Sequence, residues 1–141
     1  MKRRTPITQY CHERIQQMIK EPLLCIDATA GTGKDTVFLA KLVGEKGRVI
    51  SMDIQEMAIE QTKKRLLKER LSDRAEVVLD SHAHMDKYAQ KDSVSLIMFN
   101  LGYLPGGDHS LSTKADTTIE ALEKGLNLLH EGGMISLLIY S

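Results

Sequence analysis

Hydrophobic and polar positions divide the chain into two kinds of segment that alternate along its length. Short, mostly apolar runs are typical of buried strands, and longer segments with apolar residues every three or four positions are typical of helices. The predicted strands cover residues 23–26, 48–52, 75–79, 94–99 and 134–140, and the predicted helices cover about 7–20, 35–43, 55–70 and 116–130. Because helices separate these strands, the pattern predicts a parallel α/β sheet.

The order of the strands follows from the handedness of the connections and from the acidic residue Asp53. Right-handed crossovers, with an acid ending the second strand, predict the order 3-2-1-4-5 with helices on both faces. Asp27, Asp53, Asp80 and Asn100 then lie at or just past the carboxyl ends of strands. We expect these four side chains to converge on one ligand crevice.

Composition narrows the class of protein. With 141 residues, 42% hydrophobic residues and a net charge of zero, we expect one domain over residues 1–141, with its sheet core at about 23–140. The apolar runs are too short to cross a membrane, and neutrality argues against a non-specific polyanion binder. Cys11 and Cys25 form no disulfide framework, so a reducing, cytoplasmic setting is expected. We also expect no metal, because no ligand set accompanies His82 and His84.

The glycine-rich segment 27–36, which follows the first strand, is compatible with more than one nucleoside ligand. A Walker phosphate loop would need a glycine where Ala28 stands and a hydroxyl where Asp35 stands. A dinucleotide loop would need a glycine at Thr36 and a helix start free of acids. An NAD-dependent oxidoreductase therefore remains only as an alternative.

S-adenosylmethionine fits the acidic loop better, because it has no phosphate and carries a positive sulfonium and ammonium. We expect Asp27 to face the ammonium directly or through water, and Asp53 to bind the ribose hydroxyls. Asp35 has two open roles, as a cofactor contact or as a helix N-cap. The full set of predicted cofactor-binding residues is Asp27, Ala28, Gly31, Gly33, Asp35, Asp53, Gln55, Ser81, His82 and Asn100.

A second motif, residues 99–108, follows the fourth strand and reads Phe-Asn-Leu-Gly-Tyr-Leu-Pro-Gly-Gly-Asp. It resembles the Asn-Pro-Pro-Tyr loop of amino-methyltransferases, although Leu101 and Gly102 replace the two prolines. The resemblance implies that the Asn100 amide oxygen orients an amine and that Tyr103 stacks on a base, which makes them the predicted catalytic residues. A plain turn with Tyr103 packed inward is the structural alternative.

Both motifs, together with residues 52–55 and 117–119, resemble the bacterial S-adenosylmethionine-dependent methyltransferases described as rRNA methylases. The resemblance implies a Rossmann-like class I fold and methylation of the aminomethyl nitrogen of 5-aminomethyl-2-thiouridine at the tRNA wobble position. The anticodon region of tRNA is the implied partner. A non-catalytic S-adenosylmethionine- or RNA-binding module is a further alternative.

The family ordinarily continues past the fifth strand with a helix and an antiparallel strand pair. The resemblance therefore leads us to expect that this C-terminal pair is missing, because the sequence stops at Ser141. An exposed sheet edge would favour a homodimer.

Overall fold

The computed structural model describes the backbone of residues 6–102 and 108–140, and the side chains of residues 6–101 and 116–139. The strands are β1 Leu24–Asp27, β2 Arg48–Asp53, β3 Ala75–Leu79, β4 Val94–Gly102 and β5 Leu129–Tyr140. The helices are α1 Ile7–Met18, α2 Lys34–Val43, α3 Glu56–Lys68 and α4 Asp108–Leu128, with short 3₁₀ helices at Ser72–Arg74 and His82–Lys87. Among the described residues, none of the helices combines the length and the apolar content that a membrane span needs.

The five strands form one sheet of order β3-β2-β1-β4-β5, and each neighbouring pair is parallel. In the middle of the sheet, Ile26 of β1 is in register with Ile50 of β2 and Ile97 of β4. The predicted order is therefore confirmed. Parallel pairing brings the carboxyl ends of all these strands to one edge, where a ligand crevice was expected.

Apolar side chains fill both faces of the sheet. On one face, Ile15 of α1 and Leu39 of α2 pack with Leu66 of α3. On the other face, Phe99 of β4 packs with Ala121 of α4. Each fully buried large apolar side chain contributes about 2 kcal/mol to folding, so packing on both faces stabilises the central strands.

The predicted boundary between the last helix and the last strand was wrong. The predicted helix covered residues 116–130, and the predicted strand began after a Gly132-Gly133 turn. In the structure α4 covers Asp108–Leu128, and β5 begins directly after it at Leu129. Gly132 has a φ of +86°, and the pairing of β5 with β4 is irregular near its start. Because a glycine accepts this conformation, the strand starts before the glycines and continues through them.

Strand β4 also extends beyond its predicted end at residue 99, because its pairing with β5 continues. Asn100 is in register with Leu138, and Gly102 with Tyr140. Asn100 therefore lies within a paired strand, which fixes its backbone more firmly than a loop would. Tyr103 lies outside the described residues.

Candidate active site

A cavity of about 480 Å³ opens at the carboxyl ends of β1, β2 and β4. Its volume is within the usual range for small-molecule sites. The residues that line it are Ala28, Thr29, Gly31, Asp53, Ile54, Gln55, Asp80, Ser81, His82, Asn100, Leu101, Thr117 and Thr118. The predicted convergence of polar strand ends is thus present for Asp53, Asp80 and Asn100.

The loop after β1 crosses over to the end of β2 and forms one wall of the cavity. Gly31 has a φ of +56°, and its N–H donates to Asp53 Oδ2 at 3.0 Å. The Ala30 N–H donates to the Met52 carbonyl at 2.8 Å. With no side chain on Gly31, a ligand can approach the backbone here.

Asp53 joins the β1 loop to the residues that follow β2. Its Oδ2 accepts from Gly31, and its Oδ1 accepts from the Gln55 N–H at 3.0 Å. A carboxylate offers about four acceptor positions, so Asp53 can still bind hydroxyl groups. Ile54 is 70% exposed on the same wall and was missed by the sequence analysis, although an apolar residue directly after the acidic strand end was a usable signal.

Asp27 lies beneath the cavity wall and does not line it. The side chain is completely buried, with Oδ1 accepting from the Thr29 N–H at 3.1 Å and Oδ2 from Thr36 Oγ1 at 2.7 Å. Burial, and secondarily the charge of Asp35, raises the pKa of Asp27 to about 7. In this geometry Asp27 shapes the loop and does not reach the cavity. A direct contact with a ligand would require the side chain to reach the cavity.

Gly33 also lies behind the wall. It is the N-cap of α2 with a φ of +90°, and a Cβ atom there would lie 2.9 Å from the Thr62 Cα of α3. Arg65 of α3 secures the same loop by donating from Nε to the Thr32 carbonyl at 2.9 Å. Gly33 thus allows the loop to pack closely against α3, and its contact with the cofactor stays a prediction.

Asp35 faces α1 and is not the N-cap, so that alternative was wrong; Gly33 holds the N-cap position. The Asp35 side chain is largely buried, and its Oδ1 lies 2.6 Å from His12 Nε2 of α1. Its Oδ2 accepts from Asn100 Nδ2 at 3.3 Å. His12 was not among the predicted site residues, because its one signal in the sequence is its position three residues before the buried Ile15.

Asn100 connects this buried cluster to the cavity. Its backbone N–H donates to Thr29 Oγ1 at 2.8 Å, and the residue lines the cavity. Within the described part of the chain, Asn100 Oδ1 is buried without a hydrogen-bond partner. Such an acceptor is costly to leave unpaired, so it is a position at which a bound donor is favoured.

Asp80 organises the far wall of the cavity. Its Oδ2 accepts from the Tyr88 hydroxyl at 2.6 Å, and its Oδ1 pairs with His84 Nδ1 at 2.7 Å and with the Ser81 N–H at 2.8 Å. The hydrogen bonds from Tyr88 and then His84 lower the pKa of Asp80 to about 2. Asp80 is therefore ionised, and its hydrogen bonds hold in place the 3₁₀ segment that follows Ser81.

His82 lines the cavity beside Ser81 and is fixed by two contacts. Its Nδ1 lies 3.1 Å from the Ala28 carbonyl, and its ring meets Phe99 edge to face at 5.4 Å between centroids. Burial lowers the pKa of His82, which favours the neutral ring. Because the Ala28 carbonyl can only accept, the proton of the neutral ring lies on Nδ1. Nε2 is then an acceptor. Among the described residues, no group of three or more His, Cys, Asp or Glu side chains is placed to hold a metal.

This combination of sheet order, glycine loop, acidic second strand end and strand-four asparagine defines the class of Rossmann-like S-adenosylmethionine-dependent methyltransferases. Residues 49–141 match the family model described as "Putative rRNA methylase". The chain belongs to that family, as its motifs predicted.

Three relatives extend the comparison. The chloroplastic tRNA (mnm(5)s(2)U34)-methyltransferase of Arabidopsis thaliana is 38% identical over 97% of this chain and 53% of that protein. The "putative rRNA-methylase" of Clostridium thermocellum is 42% identical, with a TM-score of 0.78 over 96% of this chain and 69% of that structure. A "putative methyltransferase" of Streptococcus mutans in complex with SAH is 34% identical, with a TM-score of 0.77 over 97% of this chain and 73% of that structure.

The comparisons confirm the predicted family and fold class, and S-adenosylmethionine as the cofactor of that class. The chain spans about half the length of the curated Arabidopsis relative. Of the predicted cofactor-binding residues, Asp27, Gly33 and Asp35 lie behind the cavity. The others line it, namely Ala28, Gly31, Asp53, Gln55, Ser81, His82 and Asn100.

Proposed function

We propose that the chain binds S-adenosylmethionine in this cavity and methylates an amine, the aminomethyl nitrogen of 5-aminomethyl-2-thiouridine at the tRNA wobble position. The observation that carries the proposal is the buried, unpartnered Oδ1 of Asn100, a residue that lines the same cavity as Asp53. The name of the Arabidopsis relative supports the tRNA acceptor, and the SAH complex of the Streptococcus mutans relative supports the cofactor.

The residues of the cavity fit this cofactor in charge and shape. Asp53 retains acceptor positions for ribose hydroxyls, and Gly31 leaves room for the methionine end beside the β1 loop. Ile54 offers an apolar surface, and Ser81 and His82 offer polar atoms, to the base. When bound, S-adenosylmethionine supplies an electrophilic methyl group on a positively charged sulfur.

Asn100 provides the recognition of the acceptor. Its Oδ1 can accept a hydrogen bond from the amine N–H, which fixes the nitrogen and directs its lone pair. A protonated amine has no lone pair to direct, so the amine must lose a proton before it reacts. The stacking of Tyr103 on the base is part of the proposal and follows from the resemblance alone.

Ligand binding separates the proposed function from its first alternative. We expect S-adenosylhomocysteine to raise the melting temperature of the chain and NAD to leave it unchanged, because only a ligand that binds the native state stabilises it. Stabilisation by NAD alone would favour an oxidoreductase.

Methyl transfer separates the enzyme from a non-catalytic binding module. The chain is incubated with radiolabelled S-adenosylmethionine and tRNA that carries the unmethylated aminomethyl group. Labelled tRNA supports the proposal, whereas tight cofactor binding without labelling supports the module.

Two substitutions divide the roles within the cavity. Asn100→Ala should lower transfer by about 100-fold and leave the affinity for S-adenosylhomocysteine within about threefold. Asp53→Ala should weaken that affinity at least about tenfold. Glu60→Ala, an exposed carboxylate of α3, is the matched control and should change neither.

The proposed partner is the anticodon region of tRNA. A single domain over residues 1–141, a cytoplasmic location and a homodimer are proposed from the sequence. Size-exclusion chromatography with light scattering would decide the oligomeric state.

A further inference from the structure

We infer that His12 and Asp35 are positioning residues that hold the Asn100 side-chain amide in the orientation that accepts the substrate amine. This inference rests on the proposed function, because it concerns the same acceptor position. It adds α1, which does not line the cofactor cavity, to the elements that control the reaction.

The orientation of the Asn100 amide follows from the chemistry of Asp35. An ionised carboxylate only accepts hydrogen bonds, so the amide group that faces it must be the NH₂. Asn100 Nδ2 lies 3.3 Å from Asp35 Oδ2, and Asn100 Oδ1 is therefore turned away from the carboxylate. If the amide rotated by half a turn, it would present a donor to the amine N–H and the contact would be lost.

His12 fixes the carboxylate in turn. Its Nε2 lies 2.6 Å from Asp35 Oδ1, so the ring donates a hydrogen bond to Asp35. The His12 ring also stacks on Phe38 of α2, with 3.9 Å between centroids and 5° between planes. This stacking leaves the ring little freedom to turn. The packing of α1 on α2 therefore fixes the Asp35 carboxylate, and the carboxylate in turn fixes the Asn100 amide.

The arrangement is separate from cofactor binding. His12 and Asp35 border a small cleft between α1 and strands β4 and β5, together with Cys11 and Ser136. Among the residues that the structure describes, Asn100 alone borders both this cleft and the cofactor cavity. Changes at His12 should therefore alter catalysis and leave cofactor affinity unchanged.

Substitutions of His12 can separate the hydrogen bond from the packing. His12→Phe keeps an aromatic ring on Phe38 and removes the donor to Asp35, whereas His12→Gln supplies an N–H donor in place of the ring nitrogen. Gln17→Ala, an exposed position on α1, is the matched control. Kinetics of methyl transfer to tRNA, affinity for S-adenosylhomocysteine and melting temperature are measured for each protein.

We expect His12→Phe to lower kcat about tenfold while the KM for S-adenosylmethionine and the affinity for S-adenosylhomocysteine stay within about threefold. His12→Gln should recover kcat to within about threefold of the unaltered chain, and Gln17→Ala should match the unaltered chain. A kcat for His12→Phe equal to that of the unaltered chain would refute the inference. So would an equal loss in both His12 variants.

A spectroscopic measurement tests the same orientation without turnover. In the complex with S-adenosylhomocysteine, the ¹⁵N side-chain amide signal of Asn100 is identified by its loss in Asn100→Ala. We expect His12→Phe to shift or broaden this signal and His12→Gln to restore it, and an unchanged signal in His12→Phe would contradict the inference. Failure of the unaltered chain to bind S-adenosylhomocysteine would instead overturn the proposed function.

Discussion

The buried carboxylate of Asp27 should make the free energy of unfolding depend on pH in a way that one substitution removes. Asp27→Asn keeps the shape of the side chain. The amide oxygen can still accept from the Thr29 N–H, and the amide nitrogen can donate to Thr36 Oγ1. Thr36 can in turn donate to Ser51 Oγ, which lies 2.7 Å away. The loop should therefore retain its hydrogen bonds without a buried charge.

The magnitude follows from the pKa of Asp27, which burial raises from 3.8 to about 7. The unfolded chain releases this proton at lower pH than the folded chain, so unaltered protein loses stability as the pH rises from about 4 through 7. The full difference corresponds to about 4 kcal/mol, and the part between pH 5 and pH 8 to about 2–3 kcal/mol. Asp27→Asn lacks this loss.

Urea unfolding at pH 5 and pH 8 measures the effect as a difference between the two proteins. We expect Asp27→Asn to gain about 2 kcal/mol relative to the unaltered protein between these two values. The lowered pKa of His82 acts in the opposite direction, but it contributes to both proteins and cancels. Asp73→Asn, at an exposed position of the 3₁₀ segment Ser72–Arg74, should show no such gain. A stability difference that is the same at both pH values would refute the reasoning.

The same variant tests whether the charge of Asp27 is needed for the cofactor. If Asp27 acts only by shaping the loop, the affinity of Asp27→Asn for S-adenosylhomocysteine should remain within about threefold of the unaltered value. A loss of about tenfold or more would instead support the direct or water-mediated ammonium contact proposed from the sequence.

Three further predictions concern the walls of the cavity. Gly33→Ala should lower the free energy of unfolding by about 2 kcal/mol, measured by urea unfolding, because a Cβ would collide with Thr62 at a φ of +90°. Tyr88→Phe should raise the pKa of Asp80, measured by NMR titration, and lower the free energy of unfolding by about 1 kcal/mol at pH 6. The ionised Asp80 carboxylate stabilises the fold, and it becomes protonated at low pH. The difference in free energy of unfolding should therefore shrink as the pH falls from about 4 toward 2. Ile54→Ser should weaken S-adenosylhomocysteine binding about tenfold by calorimetry with little change in melting temperature, because this side chain is 70% exposed.

The sheet could be predicted from the sequence because its determinants are local or nearly so. Apolar runs located all five strands, and β3 was placed at its observed limits, Ala75–Leu79. Parallel pairing then required the polar ends of β2 and β4 to meet, which placed the cavity at the carboxyl edge of the sheet. The start of β5 was misplaced because glycines usually mark turns, whereas here the pairing with β4 runs through them.

The finer division of the site could not be predicted, because it depends on which way each acidic side chain turns. Asp27 and Asp53 look alike in sequence, yet one is buried by its contact with Thr36 and the other stays on the wall. Asp35 turns toward His12, a residue 23 positions earlier in the chain. Such contacts depend on how α1 packs against the rest of the fold, and the local pattern of apolar and polar residues carries no information about that packing.

The carboxylate of Asp53 already receives two backbone N–H groups, one from the loop after β1 and one from the segment that follows β2. Its remaining oxygen lone pairs suit a vicinal diol, but they would repel a phosphate placed on the ribose. The protein should therefore discriminate among adenosine derivatives at the sugar, accepting those with free 2′ and 3′ hydroxyls and excluding those with a 2′-phosphate.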